Sequence, residues 1–183
     1  MLALFLKTFL KDLDVGAVCP TSRYGVRRVL KRMNFEKRLV VVEYGPGTGA
    51  FTSQLLERLT PDSKLLLIEK NEDFIRVLGN RFGHDPRIHL FQGSAEDVES
   101  FLKISGETQA DYILSGIPFS RIPPPQTSSI LSATKRSLRK GASFLVYQYM
   151  PSIKRVLSSV FSQTTMKFIL YNFPPIFLVI SKQ

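Results

Sequence analysis

From residue 39 onward, short apolar runs alternate with segments in which apolar residues recur at helical spacing. The apolar runs predict strands at about 39–44, 64–69, 87–92, 110–115 and 143–149. The helical spacing predicts helices at about 49–59, 72–82, 95–103, 126–139 and 152–161. Strands that alternate with helices in this way predict a mainly parallel sheet with helices on both faces.

The last part of the chain predicts two further strands that run antiparallel to each other. They lie at about 165–172 and 175–181 and are joined at Asn172-Phe173-Pro174-Pro175. A parallel crossover needs about a dozen residues or more, so this short link predicts a hairpin. The predicted fold is therefore α/β and Rossmann-like, with a seven-stranded, mostly parallel sheet that ends in an antiparallel hairpin.

Residues 1–38 predict a helical extension that precedes this core. Met1–Leu13 has the pattern of an amphipathic helix, with Lys7 and Lys11 away from its apolar stripe. Such a helix packs on the domain or lies in a membrane interface, and one helix can do both. A second helix is predicted from an N-cap at Thr21-Ser22 to about Met33, with apolar residues facing inward and basic residues facing out.

Length and composition narrow the class of protein. The 183 residues predict a single domain, 1–183, of which 39–183 form the core. The apolar runs are far shorter than the roughly 20 residues of a membrane span, and charges interrupt the apolar N-terminus where a secretory signal would lie. The lone cysteine, Cys19, excludes an internal disulfide and is typical of the cytoplasm. No His or Cys cluster has metal-ligand spacing, so no metal is expected.

The positive charge is concentrated near the N-terminus. The chain has a net charge of +10, and residues 1–40 hold nine Lys or Arg against three Asp or Glu, which leaves +6 in that segment. A basic segment of this kind favours nucleic acid or an anionic membrane, although a plain solvated surface has the same pattern. The candidate phosphate-binding residues are Lys7, Lys11, Arg23, Arg27 and Arg28.

A glycine-rich turn separates the first predicted strand of the core from its helix. Gly45, Gly47 and Gly49 stand at alternate positions, where the absence of a Cβ lets the backbone approach a ligand. A strand, such a turn and a helix form a nucleotide-type pocket. Glu69 ends the second strand, about 20 residues further on, where a carboxylate accepts the hydroxyls of a ribose.

The spacing G-x-G-x-G, with Glu43 two residues ahead, resembles motif I of the class I S-adenosylmethionine-dependent methyltransferases. This resemblance implies that the glycine backbone contacts the amino acid part of S-adenosylmethionine, that Glu43 binds its ammonium group and that Glu69 binds its ribose. Asn71 is expected to cap the next helix near the adenine. Ser94 stands where these enzymes often have an adenine-binding Asp, so Ser94 with the Ala95 N–H is expected to replace it, or Ser94 is a plain helix cap.

The fourth core strand leads into the segment expected to hold the methyl acceptor. The ribosomal RNA adenine dimethyltransferases have Asn-Leu/Ile-Pro-Tyr/Phe there, whereas this chain has S-G-I-P-F, which resembles the S-G-L-P of bacterial phospholipid N-methyltransferases. Further segments match that lipid family, which converts phosphatidylethanolamine to phosphatidylcholine. The acceptor segment consists of Ser115, Gly116, Ile117, Pro118 and Phe119, and the further matches are Gly16–Ser22, Glu43–Gly49, Ile68–Asn71, Gln148–Met150 and Asn172–Pro175.

The resemblance implies a cytoplasmic enzyme, peripheral on the inner membrane face, that methylates the head-group amine of phosphatidylethanolamine. Tyr24, Phe119, Tyr147 and Tyr149 are candidates for an aromatic pocket around the methylated amine, although packing explains such aromatics equally well. Tyr147, Tyr149 or water is expected to accept the amine proton. Two alternatives remain: an RNA adenine N6-methyltransferase whose basic segment follows a phosphate backbone, and a non-catalytic membrane- or RNA-binding module.

Overall fold

The computed structural model describes residues 21–170 and 175–183. The predicted helix over Met1–Leu13, with Lys7 and Lys11, lies outside the described residues, as do Cys19 and most of the link at 172–175. Seven strands form one sheet: β1 (Val40–Tyr44), β2 (Lys64–Glu69), β3 (Ile88–Gln92), β4 (Ala110–Ser115), β5 (Leu138–Gln148), β6 (Gln163–Ile169) and β7 (Ile176–Lys182).

The helices of the described residues follow the predicted alternation with the strands. They are α1 (Arg23–Leu30), α2 (Ala50–Leu56), α3 (Glu72–Phe82), α4 (Val98–Ile104), α5 (Pro124–Ser137) and α6 (Ile153–Val160). Short 3-10 turns at Ala95–Asp97 and Phe119–Arg121 precede α4 and α5.

The sheet has the order β3-β2-β1-β4-β5-β7-β6, and the first five strands of the chain pair in parallel. β7 pairs antiparallel with both β5 and β6, which confirms the predicted C-terminal hairpin. The strand order reverses between β1 and β4. In open α/β sheets a ligand crevice lies at the carboxyl ends of the strands beside such a reversal.

Several of the predicted element ends differ from those in the structure. β5 begins at Leu138 rather than 143, because Leu138 already lies opposite Ala110 of β4, and α5 therefore ends at Ser137. The helix predicted over 95–103 is a 3-10 turn followed by α4. β6 covers Gln163–Ile169 rather than 165–172, because its register with β7 brings Ile169 opposite Ile176.

Two apolar clusters cover the two faces of the sheet. Helices α1 to α3 bury their apolar residues against the face that carries Val41, while α4 to α6 pack on the face that carries Val42 and Tyr44. The central strand β1 is buried along its whole length. This explains why its sequence is apolar at every position except Glu43 rather than alternating.

Helix α1 has the cap and the faces that the sequence predicts. Ser22 Oγ accepts a hydrogen bond from Gly25 N at 3.1 Å, so Ser22 is the N-cap. Val26, Val29 and Leu30 are buried, which contributes about 1.5–3 kcal/mol for each side chain and stabilises a helix of only eight residues. The basic residues of α1 face solvent. Within the described part of the chain, no helix has the length and apolar character that a membrane crossing requires.

Candidate active site

A cavity of about 320 Å³ lies at the carboxyl edge of the sheet, where the strand order reverses. The glycine turn, the ends of β2 and β4 and the 3-10 turn before α5 surround it. The predicted site residues that line this cavity are Gly45, Gly47, Glu69, Asn71, Ser94, Ala95, Gly116, Ile117, Pro118 and Tyr147.

Gly47 and Gly49 of the glycine turn have different surroundings: Gly47 borders open space, whereas Gly49 is closely packed. Both residues have left-handed backbones, with φ of +56° and +82°. A Cβ at Gly49 would lie 2.4 Å from the ring of Phe82, so Gly49 is required for packing between α2 and α3. A Cβ at Gly47 would meet no protein atom within 4 Å. Gly47 therefore forms an open cradle, as a ligand-binding turn requires.

Glu69 is held in a fixed position at the floor of the cavity. Its Oε2 accepts a hydrogen bond from Gly47 N at 3.1 Å, and its Oε1 accepts one from Asn71 N at 3.0 Å. Carboxylate oxygens accept hydrogen bonds, which is what binding the hydroxyls of a ribose requires. The glycine turn and the ribose-binding candidate are thus one hydrogen-bonded unit.

Asn71 and Ser94 both cap helical turns at the cavity. Asn71 Oδ1 accepts hydrogen bonds from Asp73 N at 2.9 Å and Phe74 N at 3.2 Å, which confirms the predicted cap of α3. Ser94 Oγ accepts a hydrogen bond from Glu96 N at 3.3 Å, so its interpretation as a cap is also confirmed. Ser94 and Ala95 face the cavity as well, and their contact with adenine stays a prediction.

A carboxylate network that the sequence analysis missed lies behind Ser94. Ser94 Oγ donates to Glu96 Oε2 at 3.0 Å, and Gln126 Nε2 donates to the same oxygen at 2.8 Å. Gln126 also lines the cavity. No local pattern marks Gln126, because its role depends on α5 packing beside the Ala95–Asp97 turn.

Glu43 is fully buried beneath the glycine turn and does not line the cavity. Its Oε2 accepts a hydrogen bond from Thr52 Oγ1 at 2.8 Å, while its Oε1 has no hydrogen-bond partner in the described residues. Burial raises the pKa of Glu43 to about 8, and the nearby charge of Glu69 adds to the increase. An unpaired acceptor in this place suits a cation bound close by, either directly or through water.

Glu43 also gives the protein a testable pH dependence. Because its folded-state pKa lies above the ordinary value of 4.5, the folded state holds a proton that the unfolded state has lost between about pH 4.5 and 8. Stability should therefore fall by roughly 1.4 kcal/mol per pH unit within that window. Glu43→Gln should remove this slope and be the more stable form at pH 8, as measured by urea unfolding at pH 5, 6, 7 and 8.

The exposed acid Glu57 supplies a matched control for that experiment. Glu57→Gln removes one carboxylate at the end of α2, the helix whose Thr52 contacts Glu43, and should leave the pH slope of the native protein in place. A Glu43→Gln variant that keeps the native slope would show that another group carries the dependence.

The acceptor segment forms a turn that three hydrogen bonds stabilise. Ser115 is fully buried, and its Oγ accepts a hydrogen bond from Ile117 N at 3.3 Å. Gly116 N donates to Tyr44 O at 3.1 Å, and Gln148 Nε2 donates to Ile117 O at 3.0 Å. A Cβ on Gly116 would lie 2.7 Å from the phenol oxygen of Tyr147. Glycine at 116 therefore gives Tyr147 its place in the cavity.

The aromatic wall of the cavity differs from the predicted one. Phe119 points into the core, where its ring packs edge-on against Phe144 at 6.5 Å. Tyr149 follows the end of β5, and neither Tyr149 nor Tyr24 is among the lining residues. The aromatic residues of the lining are Phe51, Phe74 and Tyr147, and the rings of Phe51 and Tyr147 stack with centroids 4.1 Å apart.

Phe51 lies within the helix predicted over about 49–59 and was not among the predicted site residues. Its position in the first turn after the glycines is the signal that marks it as a ligand contact, because that turn faces the crevice. Burial, together with the charges of Glu43 and Glu69, raises the pKa of Tyr147 well above its usual value of 10. Tyr147 is therefore a neutral phenol, which makes it unsuited to accept the amine proton.

The basic residues of α1 lie outside the cavity lining. Arg23, Arg27 and Arg28 are exposed, and Arg28 Nε donates to Tyr24 Oη at 2.8 Å. Thr21, which precedes the N-cap Ser22 of α1, lines the cavity. The helix therefore carries its cations away from the cavity along the neighbouring surface. Among the described residues, no group of three His, Cys, Asp or Glu is arranged to hold a metal ion.

The fold and the site together define a class I S-adenosylmethionine-dependent methyltransferase. They combine an open glycine turn, the hydrogen-bonded carboxylate of Glu69 and the crevice of a seven-stranded sheet. Residues 21–151 match the family model of ribosomal RNA adenine dimethylase, and the chain belongs to that family. The protein is an S-adenosylmethionine-dependent N-methyltransferase, which excludes the alternative of a non-catalytic binding module.

Two curated relatives differ in how much of the chain they resemble. An ornithine lipid N-methyltransferase of Singulisphaera acidiphila is 29% identical over 174 residues, covering 94% of this chain and 91% of the relative. A ribosomal RNA small subunit methyltransferase A of Burkholderia cenocepacia is 38% identical over 81 residues, covering 44% of this chain and 29% of the relative.

Solved structures share the fold. A precorrin-6y C5,15-methyltransferase from Geobacter metallireducens superposes with a TM-score of 0.69 at 10% sequence identity. The match covers 86% of this chain and 87% of that one. At this identity, the likeness supports the architecture of the sheet and helices alone.

Proposed function

We propose that this enzyme methylates the head-group amine of a membrane lipid, with phosphatidylethanolamine as the expected acceptor. The observation that carries the proposal is the extent of the likeness to the ornithine lipid N-methyltransferase, which covers nearly all of both chains. The likeness to the ribosomal RNA enzyme covers less than half of this chain and under a third of the relative. Both lipids named here present an amine, so the two candidate acceptors share one reactive group.

The acceptor end of the cavity supports an amine carried by a lipid. Ile117, Pro118 and Ile122 contribute apolar side chains to this part of the lining, and the cation of Arg121 lies beside them. Ser115-Gly116 replaces the Asn expected in an RNA adenine enzyme, and Ser115 Oγ is occupied within its own turn. The side-chain amide that would hold an adenine amine is therefore absent from this position.

The chain's own residues have three tasks in the proposed reaction. The glycine turn and Glu69 hold the cofactor, which supplies an activated methyl group when bound, and the cavity orients the acceptor. The acceptor amine must lose its proton before it attacks. Since Tyr147 is a neutral phenol, we assign that proton to water, and Tyr147 acts by accepting a hydrogen bond from the amine and by its stacked ring.

Tyr147→Phe separates these two roles. The variant keeps the ring stacked on Phe51 and loses one neutral hydrogen bond, so kcat should fall by less than about tenfold. Loss of a general base would cost about 10²- to 10⁴-fold instead and would remove a limb of the pH–rate profile. Steady-state kinetics across pH 6 to 10 distinguish the outcomes, and a hundredfold loss with an altered profile would restore Tyr147 as the base.

The acceptor itself is tested by incubating the full chain with methyl-labelled cofactor and four acceptors offered separately. These are vesicles of phosphatidylethanolamine, ornithine lipid or phosphatidylcholine, and ribosomal RNA. We expect label in the first two lipids and none in phosphatidylcholine, whose nitrogen is already quaternary. Label in RNA alone would refute the lipid proposal.

An RNA adenine N6-methyltransferase is the second candidate. The family model and the exposed cations of α1 favour it, because RNA binding relies on phosphate contacts. The same cations also suit a peripheral enzyme on the anionic inner face of the cytoplasmic membrane. They lie on the helix that follows Thr21, and Thr21 lines the cavity. Arg23, Arg27 and Arg28 are the described candidates for that contact, and Lys7 and Lys11 extend it in sequence.

A further inference from the structure

A second cavity, of about 210 Å³, lies between α1 and the end of β6. It is separate from the proposed active site and shares no lining residue with it. Six of its lining residues combine cations with exposed apolar groups, and we call them the groove surface: Tyr24, Arg28, Arg32, Lys167, Phe168 and Leu170.

The groove surface and the active-site cavity share one edge of the sheet. β6 runs in the same direction as β5, because both pair antiparallel with β7. Gln148 of β5 and Phe168 of β6 lie opposite the same residue, Phe177. The end of β6 therefore lies at the carboxyl edge, where the cavity opens. The other wall, α1, starts just after Thr21, which lines that cavity.

The cations of the groove surface have no acidic partner in the described residues. None of the ion pairs within 21–170 and 175–183 includes Arg28, Arg32 or Lys167. The Arg28 guanidinium lies 5.2 Å from the centroid of the Tyr24 ring, which holds it in place without neutralising it. These three positive charges are therefore not neutralised by any acid in 21–170 and 175–183, and together they suit an anionic partner.

Exposed apolar side chains lie among these cations. Leu170 is 66% exposed and Phe168 is 52% exposed. At a membrane interface, apolar side chains enter the acyl boundary while neighbouring cations contact lipid phosphates. RNA would use the cations and the aromatic rings, but it offers no apolar phase in which Leu170 is buried. The combination therefore favours a membrane over a nucleic acid.

We propose that the groove surface binds the phosphate-bearing face of an anionic phospholipid membrane. Contact there sets the mouth of the active-site cavity against the lipid surface. The inference rests on the proposed function, because it assigns the surface across which a lipid acceptor would reach the cavity. It adds Arg32, Lys167, Phe168 and Leu170 to the contacts expected from the sequence.

The test compares two triple variants of the full chain by vesicle sedimentation. Arg28→Gln with Arg32→Gln and Lys167→Gln removes the groove cations. Each cation near an anionic leaflet strengthens binding about fivefold, so affinity for phosphatidylglycerol-containing vesicles should fall about a hundredfold. The control neutralises three exposed lysines near the opposite edge of the sheet, and its binding should change by no more than about fivefold: Lys37→Gln, Lys103→Gln and Lys140→Gln.

Leu170→Ser tests the apolar part of the contact. Its side chain is exposed, so the fold should be retained. We expect vesicle binding to fall about tenfold, and by the same factor at low and high salt, because the lost contribution is apolar. Cofactor affinity should stay unchanged in every variant, since the glycine turn is untouched.

Equal vesicle binding by the two triple variants would overturn the proposal. A groove variant that loses RNA binding but keeps vesicle binding would overturn it in favour of a nucleic acid surface. Vesicle binding is measured without cofactor and is therefore independent of methylation. If binding depends on the groove surface but no lipid is methylated, the proposed function is refuted and the groove inference stands. Lipid methylation in detergent micelles together with unaltered vesicle binding refutes the groove inference alone.

Discussion

Gly47→Val should abolish detectable binding of S-adenosylmethionine and leave the protein folded. A Cβ at Gly47 meets no protein atom within 4 Å and enters the cavity, so the branched side chain occupies space that the cofactor needs. The left-handed backbone, with φ of +56°, adds about 1–2 kcal/mol of strain to the folded state. We expect a loss of affinity of more than about a hundredfold by calorimetry, which corresponds to about 2.7 kcal/mol.

Gly141→Val is the matched control for the backbone strain. Gly141 has φ of +79° and also has no protein atom within 4 Å of a Cβ, but it does not line the cavity. Its variant should show a similar loss of stability and normal cofactor affinity. Normal affinity in a folded Gly47→Val protein would mean that the cofactor does not contact this turn.

Glu69→Ala should weaken cofactor binding by about ten- to a hundredfold. A hydrogen bond to a charged group contributes roughly 1.5 to 3 kcal/mol, and the carboxylate is the expected acceptor for the ribose hydroxyls. The structure adds a second reason. Glu69 accepts hydrogen bonds from Gly47 N and Asn71 N, so its removal also releases the turn from its fixed position.

Glu72→Ala provides a control at the same edge of the sheet. Glu72 is exposed in the first turn of α3, and its removal changes the net charge by the same amount. Calorimetry should show nearly unaltered affinity for Glu72→Ala. Circular dichroism establishes that both variants are folded, and a folded Glu69→Ala protein with native affinity would exclude Glu69 from the cofactor site.

The hydrogen bond between Glu69 and Gly47 N joins the two residues that these variants change. The turn presents backbone to the cavity, and the carboxylate fixes that turn from below before any ligand arrives. Preorganised groups bind without a further ordering cost. The two variants should therefore affect each other, so that the double variant loses less affinity than the sum of the two single losses.

The sequence by itself determined the alternation of strands and helices along the chain and the position of the glycine turn. Apart from Glu43, the run Val40–Tyr44 is apolar because a central parallel strand is buried on both faces, so its composition already indicates its place. The alternating glycines and Glu69 were also identifiable, because a turn that needs left-handed residues and an acid at a strand end are local features. The short link before residue 176 predicted the hairpin for the same local reason.

The tertiary structure alone decided which aromatic residues form the cavity and in which protonation state they act. Phe119 and Tyr149 are aromatic residues of the kind expected to line a ligand site, yet Phe119 is directed into the core and Tyr149 is not among the lining residues. Phe51 and Tyr147 instead stack beside the glycine turn. Burial, together with the charges of Glu43 and Glu69, raises the pKa of Tyr147 well above its usual value. These properties depend on segments about a hundred residues apart in the chain, so no local pattern contains them.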